Sequence, residues 1–241
     1  MISYVERVVD MVKVLYQGVK DNIKQKIINN EYLAGAKLPS EPLLQDSYEV
    51  SRVTIRKAID QLVQEGYVTR IQGKGTFVNE TKKVKRLMRH SAVESFSTIA
   101  EQNGLSATTK VVAVKKTDVP AKMQRNFVGP ALNVQRLRYV SSTPLIIENN
   151  FFPLPRFAHL TNYDLTKSLY QCFYSEYDIK KIISKKATVS MIQADNEKAS
   201  QLNCSFGFPL FLLDTVITDE EGSVIQAAEE FILSSMYQFE L

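Results

Sequence analysis

The stretch from Leu38 to Val78 constrains this chain more than any other. It reads Leu38-Pro39-Ser40-Glu41, then Val50-Ser51-Arg52-Val53-Thr54-Ile55-Arg56-Lys57-Ala58, then Glu65-Gly66-Tyr67, then Gln72-Gly73-Lys74-Gly75-Thr76-Phe77-Val78. Ser40 and Ser51 are good helix caps, each just ahead of an apolar-periodic segment. Pro42 is tolerable because it falls in the first turn, where its missing N–H has no partner to lose. After Ser51 the inward row is Ile55, Ile59 and Leu62, flanked by Ala58 and Val63, and Gly66 stops the helix. Tyr67–Ile71 and Thr76–Val78 alternate like short strands around Gln72-Gly73-Lys74-Gly75, a hairpin tip. Two capped helices, a basic helix start and this hairpin predict a winged helix-turn-helix, which sets a helix in a DNA groove.

The residue types suit that partner. Arg52 and Arg56 can each pair with guanine O6 and N7, worth about 1–3 kcal/mol of discrimination. Ser51 and Thr54 can reach phosphate or base edges, Lys57 adds charge, and the helix N-terminus favours a phosphate. Gly73 and Gly75 allow close backbone approach at the tip, with Lys74 supplying charge. The candidate DNA-binding set is Ser40, Glu41, Ser51, Arg52, Thr54, Arg56, Lys57, Gln72, Gly73, Lys74, Gly75 and Thr76. Charge is distributed accordingly: residues 1–89 hold 16 Lys+Arg against 10 Asp+Glu, whereas residues 90–241 hold 14 against 16. The cationic half is the half with the helix-turn-helix pattern, as attraction to phosphate requires.

A first helix is expected from Leu15 to Asn29, with Leu15, Val19, Ile23 and Ile27 as one apolar stripe. Residues 1–14 read as an amphipathic helical extension: Glu6, Arg7, Asp10 and Lys13 interrupt the apolar run that a secretory signal needs. No apolar run approaches the roughly 18 residues of a membrane span, so a cytoplasmic protein is expected. Asn79 to Arg89 is polar and basic, without apolar period, and reads as a linker able to lie against DNA. The expected division is 12–79 for DNA binding, 80–90 for the linker and 91–241 for a second domain.

In that second domain helices are expected at Ser95–Asn103, Asp164–Tyr177 and Asn196–Leu202. Strands are expected at Thr108–Lys116, Ala131–Ser141, Leu145–Phe152, Lys181–Gln193, Pro209–Thr218 and Val224–Leu233. Strands follow one another, which predicts an α+β fold with an antiparallel sheet. Cys172 and Cys204 form no Cys-x-x-Cys pair, and His90 and His159 are far from both in sequence. Two buried thiols are expected, with no metal site, disulfide or cofactor. Arg136 and Arg138 lie two apart on an expected strand and so share a face, a clamp suited to phosphate or carboxylate. Ser168 can add a hydroxyl. A solvent-facing arginine pair is the alternative.

The first segment closely resembles the winged helix-turn-helix of the GntR family of bacterial transcription regulators. The likeness runs from Leu15-Tyr16-Gln17 to the Gln72–Val78 hairpin. Members often carry Arg after the Ser-Glu pair, where this chain has Pro42, so one DNA contact is absent. Residues from about His90 resemble the UTRA effector domain of the HutC-type branch. That likeness rests on Ser95-Phe96-Ser97, Arg136-x-Arg138-Tyr139, Pro144 with Glu148, Ser168-Leu169-Tyr170 and Leu202 through Pro209. The UTRA fold is similar to that of chorismate lyase.

In relatives that sense phosphorylated sugars, the two arginines and the serine of the Ser-Leu-Tyr motif hold the phosphate. The resemblance therefore implies phosphate binding at Arg136, Arg138, Ser97 and Ser168, and sugar contacts at Phe96, Glu148 and Tyr170. Relatives usually show Pro-x-Glu where this chain has Val224-Ile225-Gln226. Gln226 cannot neutralise an amine, which turns the expectation towards a neutral phosphosugar. Glu229 can compensate if it faces the pocket, although alternation sets residues 226 and 229 on opposite faces.

The expected function is a homodimeric regulator, a repressor, that binds a double-stranded DNA operator and responds to a small-molecule effector. The alternatives are a second domain that only dimerises, or a chorismate lyase-like enzyme. The enzyme reading lacks any recognisable nucleophile or acid–base arrangement.

Overall fold

The computed structural model describes residues 4–80, 83–87, 94–123, 127–140 and 142–240. The chain divides into two compact units, Met1–Lys82 and Lys83–Leu241. The first holds α1 (Tyr4–Ile28), α2 (Glu41–Tyr48), α3 (Arg52–Gln64), β1 (Val68–Ile71) and β2 (Gly75–Val78). The second holds β3 (Val84–Leu87), α4 (Phe96–Gln102), β4 (Ala107–Asp118), β5 (Pro130–Val140), β6 (Thr143–Pro153), α5 (Leu169–Glu176), β7 (Ile183–Gln193), α6 (Asn196–Leu202), β8 (Pro209–Thr218), β9 (Val224–Leu233) and β10 (Tyr237–Glu240).

In the first unit Val19, Ile23 and Ile27 of α1 close on Leu44 of α2, on Ile55, Ala58, Ile59 and Leu62 of α3, and on Val68 and Val78 of the hairpin. Two expectations fail. Leu15 is exposed because it lies above the end of this core, and Val63 is exposed because it follows Leu62 around to the solvent side of α3. Helix α1 also begins earlier than expected, at Tyr4, running without a break through the segment read as an extension. Ser51 caps α3 with its side chain, accepting from Thr54 N at 3.2 Å, whereas Ser40 occupies the cap position of α2 without a side-chain bond.

The hairpin pairs Val68–Ile71 with Gly75–Val78 in antiparallel register, and Lys74 N donates to Ile71 O across the tip. Gly73 and Gly75 have φ of +73° and +123°, so both use backbone that L side chains rarely adopt. At Gly75 a Cβ would also stand 2.5 Å from Lys37 Cε, so this glycine makes room for a lysine stem.

The second unit is built on a six-stranded antiparallel sheet in the order β4-β5-β6-β9-β8-β7. A large core lies where α5 and the segment before it cover Leu132, Val134 and Phe152, with Phe152, Phe157 and Phe173 packed at centroid distances of 5.7–5.9 Å. Helix α5 starts at Leu169 rather than Asp164. The Asp164 carboxylate instead accepts from Thr166 N and Oγ1 at 3.0 and 2.6 Å, a local turn that competes with helix. Cys172 is buried and Cys204 half-buried.

The stretch read as a linker holds a strand. Val84–Leu87 pairs in parallel with Tyr237–Glu240, and Val84 is fully buried. Asn103 ties this strand to the end of α4, accepting from Lys85 N at 3.0 Å and donating to Lys85 O at 2.9 Å. No described helix is long and apolar enough to cross a membrane. Because Phe173 sits at the centre of the aromatic cluster, Phe173→Ala is expected to lower stability by about 3–5 kcal/mol, read from urea unfolding of the full chain.

Candidate functional site

Helix α3 turns Arg52, Arg56 and Lys57 outward, because its other face is committed to Ile55, Ala58, Ile59 and Leu62. Glu41, at the start of α2, reaches both arginines: its Oε2 accepts from Arg56 Nε at 2.9 Å and from Arg52 Nε at 3.3 Å. The guanidinium side chains are still 54% and 62% exposed. Both bonds use Nε, so Glu41 orients the two forks without consuming the Nη donors that bidentate guanine recognition uses. Burial pushes the Glu41 carboxyl up, but the bonds from Arg56 and Arg52 outweigh it and hold it below the ordinary range.

Arg70 of β1, absent from the expected set, bonds Asp60 at 2.8 Å beside this group. Gln72, Gly73 and Lys74 are exposed at the hairpin tip, with Gly75 and Thr76 half-buried behind them. Thr54 differs from expectation. It is buried, with Oγ1 2.9 Å from Ser51 Oγ, and serves the helix start instead of facing outward.

The second unit gathers most of the other expected residues into one pocket. It is lined by Arg86, Glu94, Ser95, Phe96, Arg136, Arg138, Glu148, Asn150, Ser168, Leu169, Tyr170, Gln226 and Glu230. Strand alternation builds it. On β5, Leu132 and Val134 enter the core and the next two residues on that face, Arg136 and Arg138, enter the pocket. Both arginines are buried, at 4% and 3% exposure, which removes the alternative of a solvent-facing pair.

Glu148 on β6 holds both guanidiniums. Its Oε2 lies 2.8 Å from Arg136 Nε and 2.6 Å from Arg136 Nη2, and its Oε1 accepts from Arg138 Nη1 at 3.2 Å. Arg136 Nη1 also donates to Lys167 O at 3.1 Å, in the loop before α5. Arg138 Nη2 donates to Ser97 Oγ at 3.0 Å, and its guanidinium lies 4.8 Å from the Phe96 ring centroid.

Two buried polar atoms in this pocket have no hydrogen-bond partner: Arg138 Nε and Gln226 Oε1. Gln226 Nε2 donates to Asn150 Oδ1 at 2.5 Å, which leaves its carbonyl as the spare acceptor. A spare donor and a spare acceptor, both buried, are the groups that a polar ligand can satisfy. The free space at the pocket centre is about 30 Å³, room for about two waters. Ser168 stands at the N-cap of α5 without a side-chain bond there, and burial pushes the Tyr170 phenol well up.

Glu229 is the exception among the expected ligand residues. It is not among the pocket-lining side chains; its neighbour Glu230 is, on the face shared with Gln226. Glu229 stands in register with Asn149 of β6 and Asp214 of β8. Sequence reasoning missed Glu230 and also Arg86, whose Nη1 donates to Glu230 Oε2 at 3.1 Å. Counting by twos from Gln226 reaches residue 230, so the signal for Glu230 was present. On the other face, a separate space of about 130 Å³ lies between Gln135, Asn149 and Phe231 of the sheet and Glu197, Lys198 and Gln201 of α6. Arg136 borders it as well, but Arg138 does not. Among the described residues no group of three or more His, Cys, Asp or Glu could hold a metal.

Residues 15–78 match the family described as bacterial regulatory proteins, gntR family, and residues 102–238, over half of the chain, match the UTRA domain. The chain belongs to the GntR family. This GntR protein is 31% identical over 223 residues to the "Probable fructoselysine utilization operon transcriptional repressor" of Escherichia coli K12, covering 91% of this chain and 90% of that one. It is 24% identical over 229 residues to the "HTH-type transcriptional repressor NagR" of Bacillus subtilis, covering 93% of both. Its fold is that of PhnF from Mycobacterium smegmatis, with a TM-score of 0.61 at 23% identity over 92% of this chain and 97% of that one. It is therefore a DNA-binding transcription regulator with an effector domain, and not an enzyme.

The pocket carboxyls titrate in opposite senses. Burial pushes Glu148 up, but Arg136 and Arg138 outweigh it and hold the carboxyl below the ordinary range. For Glu230 burial prevails over Arg86 and the carboxyl is raised. Glu148 therefore stabilises the fold above its unfolded value of about 4.3, and that contribution is lost as pH falls through the lowered folded value. Glu230 contributes below its unfolded value, and its contribution is lost as pH rises through the raised one. Glu148→Gln is expected to cost about 3–5 kcal/mol at pH 7 and to flatten the acid limb of a stability–pH curve, both measured by urea unfolding.

Proposed function

We propose that this GntR regulator is a homodimeric repressor whose operator affinity is set by a phosphorylated sugar held at Arg136, Arg138, Ser97 and Ser168. The observation that carries the reading is the pair of buried guanidiniums sharing one carboxylate, with Arg138 Nε left over as a donor. Two guanidiniums and a hydroxyl offer the donors that a phosphate monoester takes up. Phe96, Glu148, Tyr170 and Gln226 would meet the sugar. The names of relatives support a sugar-like effector, since one is called a fructoselysine utilization repressor and another, from Escherichia coli, a mannosyl-D-glycerate system repressor. The free space at the pocket centre is about 30 Å³, so a sugar enters only as the lining side chains move apart. Glu230 supplies a carboxylate on the Gln226 face, so an effector bearing an amine is not disfavoured as Gln226 alone implied.

DNA binding in this reading uses Ser51, Arg52, Arg56 and Lys57 in the major groove and Gln72, Gly73, Lys74, Gly75 and Thr76 at the wing, with Ser40 and Glu41 at the start of α2. Two copies would read a pseudo-palindromic operator, since protein symmetry is mirrored in the site. Arg56→Ala is expected to weaken operator binding by about 1–3 kcal/mol and to relax preference at one base position, in gel shifts against a set of operator variants. Unchanged affinity and preference would contradict the assignment. In a thermal-shift screen, a phosphosugar is expected to raise the melting temperature of the wild type and to lose that effect with Arg138→Ala; absence of any response would favour a domain that only dimerises.

A further inference from the structure

The pocket holds a third guanidinium. Arg86 lies on β3, the strand that begins just after the division between the two units at Lys82. Its side chain is 13% exposed and is paired with Glu230, itself 15% exposed. Glu230 stands directly across from Glu148 in the β6–β9 register, and Glu148 directly across from Arg136 in the β5–β6 register. Like charges in facing positions destabilise a sheet, so each buried carboxylate needs its own cation. Glu148 has Arg136 and Arg138, and Glu230 has Arg86.

An entering dianion changes this balance. Its terminal oxygens accept more hydrogen bonds than Arg136 and Arg138 can supply while they still hold Glu148. Arg86 lines the same pocket and is the next guanidinium within it. Drawn towards the anion, it leaves Glu230 free to accept from a hydroxyl or ammonium group of the sugar. Strand β3 is held by four parallel pairs with β10 and by Asn103, so a shift of Arg86 bears on a short element at the entry to the unit.

We propose that Arg86 is a third anion-binding residue of the effector site, and that its transfer from Glu230 to the effector's phosphate carries occupancy of the pocket to β3. This deepens the phosphosugar reading above and rests on it.

The test is calorimetric titration of the full chain with inorganic phosphate and with glucose 6-phosphate, using glucose as the uncharged control. The variants are Glu230→Gln, the double variant Arg86→Met with Glu230→Gln, and Arg138→Met. The double variant removes the pair together, so no lone charge is left buried. It is expected to bind both phosphate probes roughly tenfold more weakly, the loss of one charge-assisted contact. Glu230→Gln alone, which removes the competitor for Arg86, is expected to bind them about threefold or more tightly. The response of operator binding to saturating probe, read against each variant's own affinity without probe, is expected to be lost in the double variant.

Wild-type phosphate affinity in the double variant, or a full operator response at saturation, would overturn the assignment. If the double variant does not fold, Arg86→Lys, which keeps the charge opposite Glu230 but loses the fork, is read instead: unchanged phosphate affinity in it decides against the assignment. Loss of binding in Arg138→Met with none in the double variant would remove only the role of Arg86. A wild type that binds neither phosphate probe, or Arg138→Met binding as well as wild type, would remove the phosphosugar reading as well.

Discussion

The interaction that recurs in both candidate regions is a glutamate holding arginines in place. Glu41 holds Arg52 and Arg56 by their Nε atoms on the outer face of α3. Glu148 holds Arg136 and Arg138 on the inner face of the sheet, and Glu230 holds Arg86. The two settings differ in cost. At the exposed helix the ion pairs contribute little to stability and chiefly restrict rotamers. Inside the sheet, a guanidinium without a carboxylate would be an unpaired buried charge, and removing either partner is strongly destabilising. The buried cluster is therefore internally paired, and in the proposed reading an anionic effector binds only by the margin with which it outcompetes a resident carboxylate.

The sheet makes the buried cluster possible. Strands β5, β6 and β9 are neighbours, and their register sets Arg136, Glu148 and Glu230 in one row. The same face of β5 supplies Leu132 and Val134 to the core under α5. One face thus passes from an aromatic core at one end to a charged pocket at the other. The core fixes the strands and the strands fix the spacing of the charges. Ser168 and Tyr170 enter from α5, which is anchored in that core by Leu169, Cys172 and Phe173.

Much of this was legible in the sequence, because the signals were local. The caps, the α3 period and the Gly-Lys-Gly tip place the winged helix-turn-helix, and alternation in β5 places Arg136 and Arg138 on one face. Strands β8 and β9 fall where alternation sets them. What escaped notice depends on distant pairing. Strand β3 has four residues, two of them the charged Lys85 and Arg86, and its partner β10 lies about 150 residues away, so nothing nearby announces a strand. Arg86 was hidden with it. Thr54 reads as a groove contact from its position on α3, yet capping geometry turns it inward. The choice between Glu229 and Glu230 is a matter of strand phase, which a carboxylate count does not reveal.

The central claim is that the pocket arginines are held ready for an anion. It is tested most directly by two-dimensional NMR of arginine Nε–H groups during addition of inorganic phosphate or a hexose phosphate. The account predicts selective shifts at Arg136 and Arg138, largest at Arg138, whose Nε has no partner beforehand. Arg156, paired with Asp219 at 2.7 Å away from the pocket lining, should stay where it is. Pocket arginine signals that do not move, or that move no more than that of Arg156, would contradict it.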